Sequence, residues 1–174
     1  MAAPDFQQTA SAAIDTGLAH MTPPRLDRAL LDSAIYPMRH DIQTRVSDLD
    51  IQQHVNNVAV LGLMEEGRAR FFRDVDWYEK RGALRAVVAG LQVEYAFELR
   101  YPQPVQIFTG VIAIGRSSFT LAQVLRQGSA AGAYSVSTVV VLDGTRAAPM
   151  PDLLRELLRT ASVRIGDGVG QAAP

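Results

Sequence analysis

Residues 46–70 read VSDLDIQQHVNNVAVLGLMEEGRAR, and this stretch decides the fold. Its first half is polar and turn-rich: Asp48-Leu49-Asp50, then Ile51-Gln52-Gln53, then His54-Val55-Asn56-Asn57. Asp and Asn are the residues that cap helices and close short turns. The second half predicts a long helix from about Asn57 to Asp74. Val58, Leu61, Leu63, Met64, Phe71 and Phe72 spread apolar side chains over much of its circumference, which predicts a helix held in a core. Eighteen residues at 1.5 Å each span about 27 Å, enough to cross a small sheet.

Working outward, Pro37 to Val46 reads as a strand that leads into the motif. Beyond Gly82 the pattern becomes β-rich. Strands are predicted over Arg85–Leu99, Val105–Ile114, Phe119–Gln127 and Tyr134–Leu142, separated by Pro102 and Pro104, by Gly115-Arg116-Ser117, and by Gly128 to Gly132. Along the third of these, Leu121, Gln123, Leu125 and Gln127 share one face. Short turns between successive strands imply an antiparallel sheet. Pro151 to Thr160 reads as a closing helix with proline in its first turn. Leu26, Ala29, Leu30 and Ser33 stand at helical spacing and predict a short helix over Arg25–Ile35. The expected organisation is an N-terminal arm over 1–35, partly flexible, one α+β domain over 36–161, and a flexible tail over 162–174.

Composition narrows the functions. The 174 residues carry 17 basic and 18 acidic side chains and a net charge of −1, so there is no basic field for nucleic acid. The absence of cysteine excludes a thiolate nucleophile and cysteine-ligated metal, and it suits a reducing cytoplasm. Lys80 is the sole lysine, the arginine-heavy usage expected of a GC-rich bacterial genome. The N-terminus has neither the charged nor the apolar region of a signal peptide. No apolar run approaches the roughly 20 residues of a membrane span. No Walker A run, no G-x-G-x-x-G after a strand and no G-x-S-x-G elbow occurs, which argues against nucleotide binding and a serine triad. Neither of the other histidines, His20 and His40, stands at metal-ligand spacing from His54.

With these residues in hand, the motif resembles the 4-hydroxybenzoyl-CoA thioesterase family of hotdog enzymes. The shared signature is an aspartate at Asp50, three residues, His54-Val55-Asn56-Asn57, then a helix with Glu65-Glu66-Gly67-Arg68. The resemblance implies a hotdog fold, an antiparallel sheet wrapped around one long central helix. It implies hydrolysis of an acyl-CoA to free acid and coenzyme A, with no cofactor and no metal. It also implies a homodimer whose sheets join and whose active sites lie between subunits, with pairing of dimers as a further step. The Val136–Leu142 strand is the candidate for a paired inner strand.

In that family the residue at Asp50 is the nucleophile or general base, and the backbone N–H at Asn57 polarises the thioester carbonyl. A helix N-terminus offers unpaired N–H groups and partial positive charge, which suits an oxyanion. Plant acyl-carrier-protein thioesterases carry a related D-x-N-x-H run. Asp50 and His54 correspond to it, while Gln52 stands where asparagine is found. His54 is read chiefly as a loop-fixing residue. Glu65 is a secondary catalytic candidate, because another hotdog branch carries its carboxylate on the helix. Its alternative role is an ion pair with Arg68 or Arg70. Two other functions stay open: a hotdog acyl-CoA hydratase or dehydratase, though the H-F-P-G run of dehydratases is absent, and a non-catalytic acyl-CoA-binding protein.

Overall fold

The computed structural model describes residues 24–164. The expected flexibility of the first 23 residues and of residues 165–174 lies outside the described residues. Six strands form one sheet: β1 (Met38–Ile42), β2 (Arg85–Tyr95), β3 (Val105–Ile114), β4 (Ser118–Gln127), β5 (Ala130–Asp143) and the short β6 (Arg146–Ala147). Their order is β1-β3-β4-β5-β2, with β6 added to β5, and every pairing is antiparallel. Among the described residues three α-helices accompany them: α1 (Asn57–Asp74), α2 (Trp77–Lys80) and α3 (Asp152–Thr160).

Helix α1 lies in the hollow of the curled sheet. Along β4 the side chains alternate as a pleated strand requires. Phe119, Leu121 and Leu125 face α1, whereas Ala122 and Val124 face the opposite side. Gln123 shares the inner face and is fully buried. Its amide donates to Met64 O and to Thr109 Oγ1, both at 3.1 Å, and its Oε1 accepts from Arg68 at 3.3 Å. A buried amide is tolerable only when so engaged. Gly67 is the closest approach of helix to sheet. A Cβ there would stand 2.6 Å from Ile107 Cγ2 and 3.1 Å from Ile107 Cβ. Gly67→Ala is therefore expected to lose about 1–3 kcal/mol by overpacking despite alanine's better helix propensity, as measured by urea unfolding.

At the far end of α1, Phe71, Phe72, Trp77 and Phe119 form an aromatic knot. Ring centroids lie 5.5–6.0 Å apart in tilted and edge-to-face pairs, each worth about 0.5–1.5 kcal/mol beyond its buried area. Leu154 and Leu158 of α3 close this end.

Four sequence expectations require correction. Helix α1 is not enclosed on all sides. Its buried stripe is Val60, Leu63, Met64, Gly67, Arg68, Phe71 and Phe72, while Val58 is 75% exposed and Leu61 faces solvent. A single sheet can cover only one face of a helix, and Val58 and Leu61 lie on the other. Residues 25–35 form two short 3-10 turns, Arg28–Leu31 and Ser33–Ile35, rather than one helix. Asp27 and Asp32 each accept a backbone N–H two residues on, and the turn capped by Asp32 ends the first and starts the second. The strand expected over Pro37–Val46 is confined to Met38–Ile42, and that expected over Arg85–Leu99 ends at Tyr95.

The 24–36 segment packs on the outer face of the sheet. Leu30 and Tyr36 are buried there with Ala122, Val124 and Tyr134. Glu94 fastens it: Oε1 accepts Leu26 N–H at 2.6 Å and Oε2 accepts the Tyr134 hydroxyl at 2.7 Å. The Tyr134 bond, then the Leu26 bond, hold this carboxyl below the usual carboxylate range. A lowered folded value means that the stabilisation is complete above the ordinary carboxylate pKa and is lost as pH falls through the folded one. Glu94→Gln is expected to lower amide protection over residues 26–36 several-fold at neutral pH, and to remove the loss of protection on acidification expected of the unaltered chain, after correction for the intrinsic exchange rate. Hydrogen–deuterium exchange measured against pH checks both.

Candidate active site

The segment between β1 and α1 is a chain of backbone and Asx bonds. Arg45 N–H donates to Asp48 Oδ2 at 2.7 Å, and Asn56 N–H donates to Asp48 O at 2.8 Å. Leu49 and Val55 form an antiparallel bridge that closes a tight loop. Within it, Asp50 N–H donates to His54 O at 2.9 Å, and Gln53 takes a left-handed φ of 64°. The Asp50 carboxylate organises the turn. Its Oδ1 accepts Gln52 N–H at 2.8 Å and His54 N–H at 3.1 Å. These bonds fix the carboxylate's orientation through one oxygen, while no hydrogen bond among the described residues engages Oδ2.

Helix α1 begins directly after this loop. Asn56 is its N-cap, with Oδ1 accepting Val58 N–H at 2.8 Å. The Asn57 N–H is among the leading amides that an α-helix leaves without an internal acceptor, and no described residue supplies one. Asp50, His54 and Asn57 line one open cavity of about 490 Å3, together with Gln52, Tyr95, Phe97, Glu98 and Gly132. The structure thus brings three of the sequence-identified residues together. The fourth, Glu65, lines a different cavity on the other half of α1 and pairs with Arg68, while Glu66 pairs with Arg70. Arg68 itself is only 5% exposed, and burial lowers its pKa.

Several residues at the cavity were not singled out from the sequence. Glu98 Oε2 lies 3.2 Å from His54 Nε2, joining the loop to the segment after β2. Tyr95 donates its hydroxyl to Asn57 O at 3.3 Å, tying the edge strand to the first turn of α1. Gly132 O accepts both Ala96 N–H and Phe97 N–H, at 2.8 and 3.1 Å, and a Cβ on Gly132 would collide with the Leu99 side chain. Glycine is needed here because residues 96–99 cross directly over β5. Tyr95 was the one within reach of sequence reading, since Leu91, Val93 and Tyr95 alternate along one face of β2; nothing local marks Glu98 or Gly132. Among the described residues no group of three or more His, Asp or Glu side chains is placed to hold a metal ion. No helix among them is long and apolar enough to cross a membrane.

A curled antiparallel sheet around one helix, with a carboxylate loop at the helix's leading end, defines a hotdog protein of the thioesterase type. The sequence profile of the Thioesterase-like superfamily matches residues 44–158, and the chain belongs to that superfamily. Among solved structures, a thioesterase from Thermus thermophilus complexed with coenzyme A and Zn is 32% identical. That likeness covers 73% of this chain and 95% of the other, with a TM-score of 0.65. A predicted thioesterase from Bacillus stearothermophilus is 29% identical over 74% of this chain and 98% of its own, with a TM-score of 0.67. The uncharacterized protein YsmA of Bacillus subtilis strain 168 is 29% identical over 80 residues, 46% of this chain. The chain spans about half the length of that relative, 54% of it.

Proposed function

We propose that this protein hydrolyses acyl-CoA thioesters to the free acid and coenzyme A. The observation that carries the reading is that the Asp50 carboxylate and the leading end of α1 line the same cavity. Asp50 acts as nucleophile or as general base toward water, through the oxygen not spent on the turn. The Asn57 N–H, strengthened by the partial positive charge of an eighteen-residue helix, accepts the negative charge that develops on the carbonyl oxygen. His54 and Glu98 hold the loop in place beside it. The coenzyme A in the Thermus thermophilus relative supports this carrier.

The working unit in this proposal is a homodimer formed through β2. Strand β2 is a sheet edge of eleven residues that, among the described residues, pairs with β5 alone. It exposes Val87, Val88, Leu91 and Tyr95, and long apolar edges of this kind are left open only where another strand covers them. Strand β5, which contains the Val136–Leu142 run, is paired on both sides within the chain. An antiparallel two-fold pairing of β2 with its own copy brings the Tyr95 end of one strand beside the Arg85 end of the other, with the axis near the Val88–Gly90 bulge.

A thiol-release assay over short, long, branched and aromatic acyl-CoAs tests the activity. Release above background on at least one series is expected; none on any of them overturns the reading.

A further inference from the structure

A second cavity, of about 540 Å3, flanks the other end of β2. Its walls are largely apolar, with Phe72, Trp77 and Val88 among them, and Tyr78, Arg81 and Arg85 line it too. Tyr78 and Arg81 are three residues apart at α2 and its C-cap, which places them on one face. Arg81 uses Nη1 for the backbone carbonyls of Leu84 and Gly82. No carboxylate among the described residues pairs with it. Of the other charged groups at this cavity, Glu65 and Arg68 pair with each other, Arg68 also donates to Gln123, and Arg85 gives Nη2 to the Gly144 carbonyl.

Tyr95 borders the first cavity and Ala86 to Val88 border the second, so the two cavities mark opposite ends of one edge strand. Under the two-fold pairing proposed above, the Tyr95 end of one copy's β2 lies beside the Arg85–Val88 end of the other's, one strand spacing of about 4.8 Å away. The first cavity of each copy then opens onto the second cavity of its neighbour. A thioester carbonyl held at Asn57 would send its acyl chain across this junction.

We infer that the second cavity receives the acyl group of the thioester bound to the neighbouring copy, and that Arg81 selects acyl groups ending in a carboxylate. This rests on the thioesterase reading and adds the substrate class to it: CoA half-thioesters of dicarboxylic acids. The apolar walls take the methylene chain. A carboxylate entering such walls needs a cationic partner to offset its desolvation, and the Nε and Nη2 donors of Arg81 form a fork that matches it, with the Tyr78 hydroxyl as a further donor. A methyl terminus gains nothing there.

The test compares CoA half-thioesters of straight-chain dicarboxylic acids with monocarboxylic acyl-CoAs of equal chain length, by thiol release. The unaltered protein is expected to favour the dicarboxylic series by about tenfold or more in kcat/KM. Arg81→Met is expected to bring that ratio close to unity by slowing only the dicarboxylic series, and Arg81→Lys to retain part of it. Equal rates on both series by the unaltered protein overturn the inference and leave thioester hydrolysis standing. The same holds if Arg81→Met, folded by circular dichroism, keeps the full preference. No thiol from either series, nor from any other acyl-CoA, overturns both. Should Arg81→Met fail to fold, the unaltered protein's preference and its retention in Arg81→Lys decide.

Discussion

Asp50→Asn is expected to lower kcat for thioester hydrolysis by about 10²–10⁴-fold, the range associated with losing a positioned base, while the melting temperature stays unchanged. The separation of these two effects follows from the site's geometry. Asp50 Oδ1 holds the turn by accepting Gln52 and His54 N–H groups, and an asparagine carbonyl accepts the same two bonds. What asparagine lacks is the negative charge and the basicity of the second oxygen. Asp50→Ala would confuse the two, because it releases two backbone donors and the loop with them. Thiol-release kinetics beside a thermal melt make the measurement. An Asp50→Asn protein that turns over at the unaltered rate would sink the assignment of this carboxylate.

The second large effect concerns assembly. Leu91→Glu is expected to convert the protein to a monomer by size-exclusion chromatography with light scattering, and to reduce thioester turnover by at least about a hundredfold. In the single chain Leu91 is 45% exposed, so a charge there costs the isolated fold little. In a two-fold pairing of β2 it stands close to the axis, which falls near the Val88–Gly90 bulge. Each substituted carboxylate then meets its own copy across a desolvated junction, where like charges repel strongly. Far-UV circular dichroism should be unaltered. A Leu91→Glu dimer with full activity would show that β2 is not the subunit seam.

The elements most legible in the sequence were those set by local rules. Helix α1 runs over the predicted Asn57–Asp74, because an Asn cap and a break at Asp74-Val75 bound a proline-free run rich in Leu, Met, Glu, Ala and Arg. Strand β3 also has its predicted bounds, set by Pro104 before it and Gly115 after it. The antiparallel pairing of β3, β4 and β5 followed from turn lengths, whereas the place of β2 beside β5 did not. Less legible was anything fixed by contact between distant segments. Gln123 was placed on the right face of β4, but the bonds that let a polar residue lie there come from α1 and β3. Glu65 looked close to the Asp50 loop along the helix axis, yet the helix carries it to the cavity at the other end of β2. Helix α2 is a single turn, shorter than any periodic pattern can reveal. The 25–35 segment misled because helical spacing of leucines was read without its aspartates, which bond their own backbone in competition with a helix.

The short arm fastened by Glu94 has a bearing on how large the assembly can grow. Leu30 and Tyr36 occupy the back of β4 and β5, and none of the large apolar side chains left in solvent belongs to β3, β4 or β5. Two sheets laid back to back would therefore find no bare hydrophobic ground to share, since the polypeptide has already upholstered it with its own residues. Any stacking beyond a pair is steered to the opposite side, where Val58 and Leu61 ride on the outward flank of α1.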